Sequence, residues 1–100
     1  MKIRAYIGEA TEYDKKETLE ERRPKSWLKS VSAFANGNGG VLLFGIADDD
    51  ALKGLPDVKT ASEKISEAVK SKMDPIPSIE LQIKQEEGKD FILLHVAPGA

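Results

Sequence analysis

Residues 27–50 read WLKSVSAFANGNGGVLLFGIADDD, and the order of the pieces in this stretch decides the fold. Trp27, Leu28, Val31, Phe34 and Ala35 recur at helical spacing, so one face of a helix is apolar while Lys25, Lys29 and Ser30 point away from it. Asn36 and Gly37 tolerate the left-handed conformation in which many helices end, which predicts a stop near Ala35. From position 41 to 46 only Gly45 is not a large apolar residue, the pattern of a strand covered on both faces. Gly39 and Gly40 open this central strand. Gly45 leaves room near its far end for another backbone, a side chain or a ligand.

Working outward, residues 2–7 alternate Ile3, Ala5 and Ile7 against Arg4 and Tyr6, which predicts a half-buried strand. Residues 9–15 (EATEYDK) read as a second short strand or an irregular extension. Residues 17–23 (ETLEERR) carry a single apolar side chain, Leu19, and read as loop or one frayed turn before Pro24. That proline suits the first turn of the tryptophan helix. Beyond the central strand, residues 47–58 read as a surface loop containing Gly54 and Pro56.

Thr60 and Glu63 fit a capping box, predicting a second helix from Thr60 with Ala61, Ile65, Ala68, Val69 and Met73 as its buried stripe. Ile79, Leu81 and Ile83 alternate with polar residues, and residues 91–96 form another apolar run. Separated by a turn at Gly88, the two predict an antiparallel hairpin. The whole order predicts an α+β two-layer domain, with a mixed four- to five-stranded sheet and two helices packed on one face.

A chain of 100 residues suffices for one domain with one core. Without cysteine, disulfides and thiolate zinc sites are excluded. No apolar run approaches the ~20 residues that span a bilayer, and no signal peptide is recognisable, so a cytoplasmic protein without a membrane partner is expected. The net charge of -2 argues against a protein that coats itself in nucleic acid, yet it conceals local asymmetry. Arg22, Arg23, Lys25 and Lys29 lie in a segment with no acid, whereas Asp48, Asp49 and Asp50 stand together. On one face, the two clusters would polarise it strongly.

Several of these residues resemble the Schlafen-type Alba-like domain: SAFAN at 32–36, Gly39-Gly40, LLFGI at 42–46, the run Asp48-Asp49-Asp50, and Gly54-Leu55. Glu12-Tyr13-Asp14-Lys15 is similar to the family's Glu-aromatic-Lys segment with one extra residue. The resemblance runs from about residue 9 to residue 96. It implies an Alba-like mixed sheet and a nucleic-acid-binding role, as in bacterial transcriptional regulators or DNA-helicase-related, ATP-binding proteins that carry this domain at the N-terminus. A bacterial or archaeal source follows from the same resemblance. The family continues into a further strand that this sequence lacks. The ending Ala97-Pro98-Gly99-Ala100 then suggests a single domain truncated at its C-terminus or drawn from a longer chain.

Three functions compete. As a binding module for DNA or RNA, the domain would neutralise phosphates with Arg22, Arg23, Lys25 and Lys29, and would need no cofactor. As an enzyme, it would follow eukaryotic Schlafen relatives, in which carboxylates form a metal-dependent RNA-cleaving site. The resemblance carries that role to Glu9, Glu12 and Asp48, with Glu12 and Asp48 as ligands of magnesium or manganese, hard cations that take oxygen donors. As an assembly domain, it would pair an exposed edge strand from residues 79–96 with a second copy. The glycines at 37–40 are expected to form a structural turn. They follow a helix and precede a strand, the reverse of a phosphate-binding loop, and no Gly-Lys-Ser/Thr follows, which leaves an ATP-binding role without a site. His95, inside an apolar strand, is expected to serve structure.

Overall fold

The computed structural model describes residues 13–19 and 25–99, the side chain of Lys25 excepted. Strand β1 (Tyr13–Lys16) leads to helix α1 (Lys25–Asn36), strand β2 (Gly40–Phe44), helix α2 (Val58–Lys72) and the hairpin of β3 (Ile79–Glu86) and β4 (Lys89–Val96). These form one four-stranded mixed sheet in the order β1-β2-β4-β3. β1 runs parallel to β2, and β4 is antiparallel to both β2 and β3. The strand expected over residues 2–7 lies outside the described residues. Of the stretch 9–15, Tyr13 onward is the short strand β1.

Both helices pack on one face of the sheet, as their apolar stripes require. Trp27, Leu28, Val31 and Phe34 of α1 and Ala61, Ile65 and Val69 of α2 are buried in one cluster with Leu42, Phe44, Ile92, Leu94 and Val96. Helix α1 runs antiparallel to β2. Its first turn sets Trp27 edge-on to Phe44, with ring centroids 5.8 Å apart and planes at 83°. Its last turn lays Phe34 over Gly40, where a Cβ would fall 2.6 Å from the Phe34 ring. Gly40 is therefore fixed by packing. Gly39, at φ +82, makes the turn in a conformation that L residues rarely adopt.

Helix α2 begins earlier than the capping box suggests. Asp57 is the N-cap: its side chain accepts the Thr60 N–H at 3.1 Å and the Thr60 hydroxyl at 2.8 Å. Thr60 is thus a donor within the first turn. The reason is competition, since a carboxylate accepts both of these bonds at a positive helix end and outperforms a hydroxyl there. These bonds, the hydroxyl's first, hold the Asp57 carboxyl below its ordinary pKa.

The loop after β2 is another departure. Residues 46–52 do not merely cover surface: Ile46 pairs with Leu52, and both are buried with Val41, Leu43, Phe91 and Leu93 on the sheet face opposite the helices. Gly45 makes this possible. At φ +105 it stands against Gly54 and Phe91, and its carbonyl accepts the N–H groups of Lys53 and Gly54, each at 2.9 Å. The close approach expected at Gly45 is therefore made by the chain itself. Central strand β2 is covered on both sides, as its unbroken apolar run demands.

Candidate nucleic-acid interface

Because β1 and β2 are parallel, their carboxyl ends lie at the same end of the sheet. The Trp27–Phe44 contact places the N-terminus of α1 at this end too. Lys25 is the first residue of α1, and Lys29, one turn on, is exposed with no ion pair among the described residues. The first turn of α1 contains no acid to offset the positive end of the helix dipole. This end of the helix favours an anion. Trp27 cannot stack on a base there, since it is only 2% exposed.

The acidic loop occupies the same end of the sheet but on the face opposite α1. Parallel register sets Lys15 beside Leu43, so its side chain emerges on the face that residues 46–52 cover. Lys15 Nζ donates to the Asp48 carbonyl at 3.0 Å and forms an ion pair with the Asp50 carboxylate. The hydrogen bond to Asp50 raises the Lys15 pKa above its ordinary value, and burial only partly opposes it. Asp49 caps its own turn by accepting the Ala51 N–H at 3.1 Å. Asp50 adopts φ 69, and its N–H bonds the Ala47 carbonyl at 2.9 Å. Two of the three aspartates thus build the loop, and Asp48 is left with an exposed side chain. Lys29 and the acidic cluster share an end of the sheet, not a face.

Of the residues that the sequence singles out, Lys25, Lys29 and Asp48 are placed at this end. Glu9, Glu12, Arg22 and Arg23 lie outside the described residues, as does the Lys25 side chain. Among the described residues no group of three or more potential metal-ligating side chains gathers. The glycine turn makes no phosphate cradle: the N–H groups of Gly37 and Gly39 both bond the Phe34 carbonyl, at 3.2 and 2.9 Å. The ring of His95 lies 3.0 Å from Gln82 Oε1 on the neighbouring strand.

Sequence reasoning missed the structural roles of Asp14 and Lys15. Asp14 accepts the Ser30 hydroxyl at 2.6 Å and the Lys15 N–H at 2.8 Å, tying β1 to α1, while Lys15 ties β1 to the acidic loop. The signal was present as alternation. With β1 recognised as a strand, consecutive residues must serve opposite faces of the sheet.

The Schlafen AlbA_2 family profile matches residues 9–100, and the chain belongs to this family. Among solved structures, the chain is similar to the N-terminal domain of a RecG-related protein from Nitrosomonas europaea, solved by NMR. The identity is 26% and the TM-score 0.72, over 88% of this chain. This chain spans 63% of the length of that one. No curated protein matches the chain. Family and neighbour together agree with the α+β fold and its four-stranded mixed sheet. Among the described residues, no helix is long and apolar enough to cross a membrane.

Proposed function

We propose that this domain contacts DNA or RNA and anchors a longer protein to it, as would suit a helicase-related protein or a transcriptional regulator. The contact surface is the entrance of α1, formed by Arg22, Arg23, Lys25 and Lys29. The observation that carries this reading is the acid-free first turn of α1, where exposed Lys29 follows Lys25 by one turn at the positive end of the helix dipole. A phosphate there meets side-chain charge and backbone dipole together. Family membership and the helicase-related neighbour support the choice of a nucleic acid over other polyanions.

Titration of labelled single- and double-stranded DNA and RNA at two or more salt concentrations tests the reading. Binding should weaken steeply with salt, and the triple variant R22A/R23A/K25A should lower the logarithmic slope by roughly 3. Undiminished affinity in that variant removes the proposed surface. The same titration with manganese tests the nuclease reading: cleavage that disappears in Asp48→Asn would replace anchoring by catalysis through Glu9, Glu12 and Asp48.

A further inference from the structure

β3 forms one edge of the sheet, and among the described residues no strand lies on its outer side. It is eight residues long, and Ile83 on it is 52% exposed. The two-residue turn at Glu87 and Gly88, with φ 54 and 72, makes Glu86 and Lys89 a hydrogen-bonded pair. Bonding alternates along an antiparallel ladder. The backbone groups of Glu80, Gln82 and Lys84 are therefore spent on β4, and those of Ile79, Leu81, Ile83 and Gln85 face outward. A long edge with free backbone groups and an exposed apolar side chain is a template for another strand.

The sequence of this edge is complementary to itself. Residues 80–84 read ELQIK. Laid antiparallel against a second copy about Gln82, the strand sets Leu81 opposite Ile83 twice and Glu80 opposite Lys84 twice. The apolar pairs fall on the helix-side face and the charged pairs on the other, and unlike charges directly opposite attract. The outward-facing backbone groups of Leu81 and Ile83 meet one another, as a ladder requires. Neighbouring registers lose the charge match. Centring on Ile83 opposes Glu80 to Glu86, centring on Lys84 opposes that lysine to itself, and centring on Leu81 leaves Glu80 and Lys84 without each other.

A lysine on an edge strand ordinarily guards it against pairing. Here the glutamate four residues earlier turns the guard into a register key. A groove of about 750 Å³ between α2 and β3, lined by Ser66, Glu67 and Lys70 with Leu81 and Ile83, lies over the same apolar residues.

We propose that the chain forms a two-fold dimer through β3, centred on Gln82, in which the two sheets join as one. The interface does not depend on the nucleic-acid reading. Sedimentation equilibrium over a concentration series tests it with three proteins. The wild type should dimerise, whereas Glu80→Lys and Lys84→Glu should each weaken dimerisation by roughly tenfold or more, because both dyad-related pairs become like-charged. Mixing the two single variants should restore association as a heterodimer, and the double variant E80K/K84E should regain the homodimer. Circular dichroism confirms that each variant is folded. A wild type that stays monomeric into the millimolar range, single variants that dimerise as well as the wild type, or a mixture that stays monomeric would overturn the proposal.

Discussion

The two edges of the sheet are built on opposite plans. β1 has four residues and is clamped from both faces, by Asp14 to Ser30 of α1 and by Lys15 to the loop at Asp48 and Asp50. β3 has eight residues, is joined along its whole length to β4, and leaves Ile83 to solvent. A four-residue strand paired on one side cannot hold itself, so side chains must fasten it. A long hairpin strand needs no such fastening, and among the described residues no strand pairs with its outer side. The clamped edge adjoins the candidate interface at α1, and the open edge lies at the far side of the sheet.

The largest expected effect comes from removing what the Asp14–Ser30 clamp of β1 rests upon. Trp27→Ala deletes a buried ring that holds the first turn of α1 on Phe44, and should cost about 3–5 kcal/mol in urea unfolding. Against a total stability of roughly 5–15 kcal/mol, that endangers the fold. Ser30→Ala is milder. It removes the hydroxyl bonded to Asp14, should cost about 1 kcal/mol, and should raise hydrogen exchange in β1 while leaving β3 unchanged. Equal acceleration in both strands would deny that the two edges are held independently.

The Lys15 clamp predicts a pH dependence. Its folded-state pKa lies above 10.5, so the ion pair with Asp50 contributes fully below that pH and is lost as pH rises through the raised value. Between about pH 10 and 12 the wild type should therefore lose more stability than Lys15→Met, the other lysines titrating in both. Parallel stability curves for the two proteins would show that the pair contributes nothing. The pair is partly open to solvent, with the Asp50 side chain 44% exposed, and screening by salt makes this a smaller effect than either deletion.

The same contrast explains what was legible beforehand. β2 and the two helices could be read because long apolar patterns at Val41, Leu42, Leu43 and Phe44, or at Ala61, Ile65 and Val69, have one packing solution. The β3–β4 hairpin was legible from alternation and Gly88. β1 could be read only as one of two alternatives, because Tyr13, Asp14, Lys15 and Lys16 contain no aliphatic residue, and this strand is specified by tertiary bonds to Ser30 and Asp50 far along the chain. The expected surface loop at 47–58 was misjudged over its first half for a related reason. Leu52 becomes core only because Gly45 and Gly54 let the chain double back onto the sheet. Asp57 displaced Thr60 as the cap because aspartate and threonine are both favoured N-cap residues, and charge decided between them. At the candidate interface the sequence indicated Lys25 and Lys29 through their helix, whereas the opposite placement of the aspartates depended on Lys15.

The smallest expected effect separates stability from association at the open edge. Ile83→Thr keeps a β-branched residue in the strand, so strand propensity is nearly conserved. Because Ile83 is 52% exposed, little of its side chain leaves water when one chain folds alone. The unfolding free energy of the monomer should therefore change by no more than about 0.5 kcal/mol. Across a β3–β3 dyad, by contrast, Ile83 meets Leu81 of the second copy twice, and each lost apolar contact is counted twice in the association constant. Unfolding measured at low protein concentration should then match the wild type, while sedimentation at high concentration shows weaker self-association. A stability loss as large as that of Ser30→Ala would mean that Ile83 is held within its own chain, and the two edges would differ in length alone.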